Sequence, residues 1–171
     1  MSKPAVMWFR QDLRLADNAA LRQAAESGPL ICLYVLDDVT PGVWAWGGAS
    51  RWWLHKSLVR LAESLARFKM PLILRRGAAD KVIADVLRET GAVSLHFTRD
   101  YAPWAGALEK RIKDAAEARG VVCHRYGGFL LHGRPLRSLC NMYAVPRPAR
   151  RASHPPPRPS GSVCRYRRRP A

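Results

Sequence analysis

Leu30-Ile31-Cys32-Leu33-Tyr34-Val35-Leu36 is an apolar run without alternation, closed by Asp37-Asp38 and a loop holding Pro41, Gly42, Gly47 and Gly48. A sheet with one wet face alternates apolar and polar side chains, so an unbroken run reads as a strand covered on both faces. The same unit recurs outward in both directions. Residues 4–9 form such a run before it, and residues 72–74, 93–97 and 121–126 follow it. Segments of helical periodicity lie between. Residues 19–25 follow Asp17, a predicted N-cap whose carboxylate can accept from the free amides of the first turn. Leu54, Leu58, Leu61, Leu65 and Phe68 recur at steps of four and three, predicting one apolar face on a helix ended by Met70-Pro71. A third helix bears Val82, Ile83, Val86 and Leu87 and is closed by Gly91. Pro103 opens a fourth, whose inward face is Leu108, Ile112, Ala115 and Ala116, and Gly120 stops it.

Such strands joined by amphipathic helices predict an α/β fold: a doubly wound, five-stranded parallel sheet, Rossmann-like, in a three-layer sandwich. Sheets of this kind bind ligands outside the carboxyl ends of their strands, beside the point where strand order reverses. Those ends carry residues 9–14, Asp37-Asp38, residues 75–77 and residues 98–101. The domain is predicted over residues 1–132. Residues 146–171 hold 7 Pro and 8 Arg and no apolar periodicity. Too little surface could be buried there to offset the entropy of ordering, so residues 133–171 are expected to be a disordered Pro/Arg-rich tail.

A chain of 171 residues suits one domain, and its 48% hydrophobic content fits a soluble protein. No apolar run approaches the roughly 20 residues that span a bilayer. Only a short apolar stretch precedes Arg10, unlike a secretory signal. A cytoplasmic protein without a membrane partner is expected. The net charge of +16 suggests nucleic acid at first. Residues 133–171, however, carry 10 Arg and no acidic residue, leaving 19 basic against 13 acidic residues, or +6, in residues 1–132. Cys32, Cys123, Cys140 and Cys164 form no CxxC pair or zinc spacing and read as reduced structural thiols. The histidines are scattered, no nucleophile motif or acid–base carboxylate pair stands out, and no catalytic or metal-binding residue is expected. There is neither a P-loop nor a GxGxxG fingerprint.

The loop after the first strand reads Trp8-Phe9-Arg10-Gln11-Asp12-Leu13-Arg14-Leu15-Ala16-Asp17-Asn18. Its two arginines and two aspartates would either hold an anionic or hydrogen-bonding ligand or fix the loop as an ion-pair network. Trp8 is expected in the core. Trp52 and Trp53 stand about 100° apart on a helix, so one should face the sheet and the other the rim.

The stretch from Trp8 to Leu21, WFRQDLRLADNAAL, resembles the opening signature of the photolyase/cryptochrome family. Ser50-Arg51-Trp52-Trp53-Leu54, Leu74-Arg75-Arg76-Gly77, Arg99-Asp100-Tyr101-Ala102-Pro103-Trp104 and Leu130-Leu131-His132 are similar to later stretches of it. The resemblance covers roughly residues 4–132, reaching towards Tyr143-Ala144-Val145. It implies the α/β domain of a light-dependent DNA-repair lyase or photoreceptor. In such proteins this domain carries an antenna chromophore of deazaflavin, flavin or folate type, and a separate helical domain holds FAD and acts on pyrimidine dimers in DNA. Without that helical domain the chain alone is expected to be inactive and to bind DNA weakly or not at all. The likeness breaks at Pro146-Arg147-Pro148, as expected of a truncated or frameshifted gene product, with a basic DNA-binding tail as the rival. Folate-binding members often use an Asn-Glu pair after the fourth strand, where this chain has Trp104 and Ala105. The resemblance therefore favours a flavin or deazaflavin inside the domain, with Arg10, Asp12, Arg51, Asp100 and Tyr101 as the candidate chromophore-binding set. A stand-alone nucleotide-binding module of the stress-protein or electron-transfer-flavoprotein type is the alternative.

Overall fold

The computed structural model describes residues 3–127. The expected boundary at residues 132–133, the tail beyond it, and His132, Cys140 and Cys164 lie outside the described residues. The chain runs β1 (Ala5–Phe9), α1 (Ala19–Ser27), β2 (Leu30–Leu36), a 3-10 turn (Gly42–Trp44), α2 (Gly48–Ala66), β3 (Leu72–Arg76), α3 (Ala79–Thr90), β4 (Ser94–Thr98), α4 (Ala105–Glu117) and β5 (Val122–Tyr126). The strands form one parallel sheet in the order β3-β2-β1-β4-β5. The chain steps outward from β1 to β3, then crosses to the other side for β4 and β5. Strand order therefore reverses between β1 and β4.

Period-two alternation along β1 divides the core into two layers. Val6 and Trp8 pack with Leu33, Leu95 and Phe97 against Ile83, Val86, Leu108 and Ile112 of α3 and α4. Met7 and Phe9 point the other way, with Cys32 and Tyr34, onto Leu21, Leu54, Leu61 and Leu65 of α1 and α2. This is the expected three-layer sandwich. Cover on both faces is complete at the central strands and partial at the edges, where Leu74 of β3 is 57% and Val122 of β5 is 55% exposed. Among the described residues no helix is long and apolar enough to cross a membrane.

Four local expectations are corrected. Asp17 adopts a left-handed φ of 51° and makes the turn, so Asn18 becomes the α1 N-cap, its Oδ1 accepting from Leu21 N at 3.0 Å. Helix α2 ends at Ala66, and a turn with Lys69 at φ 58° follows, which leaves Phe68 65% exposed and off the Leu54–Leu65 stripe. Ala115 is exposed, and Glu109 takes a place on the buried face of α4 instead. Trp52 and Trp53 are both exposed and pack edge to face on each other, with ring centroids 5.4 Å apart. Trp8 is buried as expected, its ring 5.5 Å from that of Phe97.

Candidate functional site

Arg10 follows directly on β1 and is buried, where an unpaired guanidinium would be costly. It is paired twice. Nη1 donates to Glu109 Oε1 at 2.6 Å, and Nη2 donates to Asp100 Oδ2 at 3.2 Å. Its guanidinium carbon also lies 4.6 Å from the centroid of the Trp8 ring. Glu109, only 2% exposed, further accepts from Asp100 N at 3.0 Å and from Arg125 Nη1 at 3.2 Å. One buried carboxylate thus joins α4 to the ends of β1, β4 and β5. Asp12 makes a second knot. Its Oδ2 accepts from Thr98 Oγ1 at 2.6 Å and from Asn18 Nδ2 at 3.2 Å, while Oδ1 accepts from Arg10 N at 3.1 Å.

These two knots fill the crevice where strand order reverses. The space left among Arg10, Gln11, Asp12, Thr98, Arg99 and Asp100 is about 10 Å³. That is room for about one water and for no ring. The open volume lies to one side, towards α2: a cleft of about 1430 Å³ between the β1–α1 loop and the first turns of α2. Trp44 and Trp46 of the preceding loop and Trp53 of α2 stand along it, with Thr98 also in its lining. On α2, Ser50, Trp53, Ser57 and Arg60 recur three and four apart and line the cleft together. Leu54, Leu61 and Leu65 occupy the neighbouring face and enter the core. One helix therefore supplies both packing and wall.

Of the five expected site residues, Arg10 and Asp12 line this cleft. Asp100 is brought to Arg10 but stands behind it. There it accepts from Gln11 Nε2 at 3.4 Å and from Ala102 N at 3.1 Å. Tyr101 lies in the same loop, its ring 5.2 Å from the Arg99 guanidinium. Arg51 is turned away from Arg10. Its Nη2 donates to Asp38 Oδ1 at 3.0 Å and its Nε to the Trp46 carbonyl at 2.9 Å, while Asp38 also pairs with Arg76 at 3.0 Å. Arg51 so ties down the loop that carries Trp46. Sequence reasoning missed Glu109, although a carboxylate at the Ala105, Leu108, Ile112, Ala116 spacing was a legible sign of a buried charge, and it gave Thr98 and Asn18 no role of their own within the stretches it singled out.

The remaining titratable groups in the core are quiescent. His96 of β4 is buried, with Nδ1 3.0 Å from Tyr126 Oη, Nε2 3.1 Å from Ser94 Oγ and its ring stacked 4.7 Å from that of His124. Burial and then the neighbouring His124 push it down to about 4, so it is neutral at pH 7. Burial pushes the Cys32 thiol up to about 11, and Cys123 likewise, which leaves both as unreactive thiols. Burial also raises Asp37, but hydrogen bonds from Thr40 Oγ1 and from the amides of Thr40, Ala79 and Val39 outweigh it and hold the carboxyl below its ordinary value.

Comparison with known proteins agrees with the fold and the loop signature. The model of the family described as DNA photolyase matches residues 5–155. The deoxyribodipyrimidine photo-lyase of Agrobacterium fabrum is 38% identical over 130 residues, covering 75% of this chain and 26% of the relative. Cryptochrome-1 of Arabidopsis thaliana is 37% identical over 130 residues, covering 75% of this chain and 19% of the relative. A class III photolyase structure from Agrobacterium tumefaciens superposes with a TM-score of 0.72 at 36% identity, covering 81% of this chain and 29% of that one. The chain thus spans about a quarter of the length of such relatives. These matches disfavour the stand-alone nucleotide-binding module.

Proposed function

The chain belongs to the DNA photolyase family, and from that premise we propose that it is the antenna-bearing α/β part of a light-driven pyrimidine-dimer repair lyase or cryptochrome. Its task in this reading is to hold a flat light-harvesting pigment of the flavin or deazaflavin type. The flavin-driven step and the contact with DNA use parts of the relatives that this chain does not span. A cytoplasmic setting belongs to the same proposal, supported by the free thiols Cys32 and Cys123.

The observation that carries the reading is the cleft of about 1430 Å³ at the carboxyl edge of the sheet, with the indoles of Trp44, Trp46 and Trp53 along it and Arg10 and Asp12 in its lining. A heteroaromatic ring gains from contact with indole faces, and its polar edge needs only a few fixed partners. Arg10 and Asp12 are proposed as those partners. Asp100 and Arg51 act at one remove, Asp100 by aiming Arg10 and Arg51 by anchoring the Trp46 carbonyl. Tyr101 contributes through the loop it shares with Asp100. The crevice between Arg10 and Asp100 fits no pigment, so the ring belongs on the α2 side of Arg10.

Absorbance of the purified 171-residue chain tests this. We expect a near-UV or blue band, or its appearance after incubation with flavin or deazaflavin and removal of the excess. A colourless protein that takes up neither would overturn the reading.

A further inference from the structure

The charge of residues 1–132 is not spread evenly. Residues 51–76, which run from α2 through β3, hold seven basic side chains against one acid, Glu63, a net +6. Of the 19 basic and 13 acidic residues this leaves 12 of each elsewhere, so the rest of residues 1–132 is neutral. We infer that the outward face of α2 is a binding surface separate from the pigment cleft. It takes single-stranded nucleic acid, with phosphates on its cations and bases on its exposed indole. The inference does not rest on the pigment reading.

Helix geometry gathers the groups. Trp52, Lys56, Arg60, Glu63 and Arg67 recur at steps of four, four, three and four, so they form one stripe, and all five are exposed. Leu54, Leu61 and Leu65 lie on the opposite face and are buried. Lys56 and Arg60 stand on the margin of the cleft, but Trp52, Glu63 and Arg67 do not line it. At 1.5 Å per residue the stripe is about 22 Å long. That matches about six stacked nucleotides of one strand, at roughly 3.4 Å each. Lys69, exposed just past the helix, extends it.

The stripe is little neutralised from within. Among the described residues Arg67 and Lys69 have no ion-pair partner. Lys56 has the Trp52 ring, 5.6 Å from its ammonium, and no carboxylate. Only Glu63 opposes them, paired with Arg60 at 3.0 Å.

Apolar exposure coincides with the charge. Among the described residues every exposed large apolar side chain except Val122 lies between Val39 and Leu74, Trp52 and Val59 of α2 among them. Cations interleaved with an exposed aromatic ring are what a single strand requires, since its phosphates need charge and its unpaired bases need a flat apolar surface. A second copy of this chain would bring the same positive flank and be repelled.

Fluorescence anisotropy of labelled oligothymidylate of about 15 nucleotides, titrated with the full chain at several salt concentrations, tests this. The 10 Arg of residues 133–171 are common to every variant, so differences between variants carry the result. Arg67→Gln/Lys69→Gln should weaken binding at least about tenfold at low salt and flatten the slope of log affinity against log salt by about 1.4, or about 0.7 for each lost phosphate contact. Lys110→Gln/Lys113→Gln removes the same charge from α4, across the sheet, and should change binding by less than about twofold. Glu63→Gln should tighten binding, whereas Glu117→Gln on α4 should not. Trp52→Ala should weaken oligothymidylate about tenfold and leave an abasic oligomer of equal length unaffected. Circular dichroism should be the same throughout. Equal losses in the two double variants would leave net charge or residues 133–171 as the binder and overturn the proposal. An abasic oligomer that binds as tightly as oligothymidylate would also overturn it, by removing the bases. So would phosphatidylserine vesicles that bind through Arg67, Lys69 and Trp52 while oligothymidylate does not, which would make the face a lipid surface.

Discussion

Glu109 Oε1 accepts a 2.6 Å hydrogen bond from Arg10 Nη1 across 99 positions of sequence, and both side chains are buried. This pair closes the crevice at the reversal of strand order, which in doubly wound sheets is the ordinary ligand site. The open cleft on the α2 side is the consequence. On the proposed reading, a charge cluster occupies the default site and the pigment is displaced towards α2.

Removing one partner of that cluster leaves the other charged and buried. Glu109→Ala should lower unfolding free energy by about 3–5 kcal/mol, and Glu109→Gln by less, because the amide still fills the space and accepts one bond. Urea unfolding followed by circular dichroism measures both. A loss under about 1 kcal/mol for Glu109→Ala would mean that Arg10 does not depend on it.

The cap of α1 separates two adjacent residues that look alike in sequence. Asn18→Ala should cost about 1–2 kcal/mol, since Asn18 caps Leu21 N and also donates to Asp12 Oδ2. Asp17→Ala should cost less, under about 1 kcal/mol, because the Asp17 side chain is 99% exposed and weakly paired and the loss is only the strain of alanine at φ 51°. Thermal melts of the two variants side by side decide it, and the reverse ranking would restore Asp17 as the cap.

His96 gives the fold a pH dependence with a defined window. The unfolded chain protonates this residue near 6.5, whereas the folded chain resists until about 4. Between those values the unfolded state binds more protons, so the contribution is full above pH 6.5 and is lost as pH falls to 4. At about 1.4 kcal/mol per unit the limit is about 3 kcal/mol. Urea midpoints between pH 7 and 4 should fall in the parent, and His96→Gln should flatten that slope. Asp37 acts in a lower window, because a depressed carboxyl loses its contribution only below its ordinary value near 3.8. An unchanged slope in His96→Gln would refute the assignment.

Blocking the cleft without touching the core should separate binding from stability. Ser57 lines the cleft and is only partly buried, so Ser57→Trp should reduce pigment uptake more than tenfold while stability stays within about 0.5 kcal/mol. Full uptake by a stable Ser57→Trp protein would place the pigment elsewhere.

The fold was legible because its signals are local and repeated. Residues 30–36 read as a covered strand and are one, and the Leu54, Leu61, Leu65 spacing marks the face of α2 that is buried. The site was legible only in part. Arg10, Asp12 and Asp100 do converge at the sheet's carboxyl edge, but Glu109 lies 99 positions from Arg10 and Thr98 lies 86 from Asp12, and no spacing rule pairs residues that far apart. Arg51 went to Asp38, which also holds Arg76, because Asp37 is already occupied by Thr40 and the amides of Val39, Thr40 and Ala79. Trp52 and Trp53 turned outward together because Leu54 and its stripe already fill the contact with the sheet.

The most direct test is a crystal structure of the full chain grown with flavin mononucleotide. The account predicts ring density along Trp46 and Trp53, on the α2 side of an intact Arg10–Glu109 pair. Density between Arg10 and Asp100 with that pair broken, or a ring seated at Arg51 and Asp38, would contradict it.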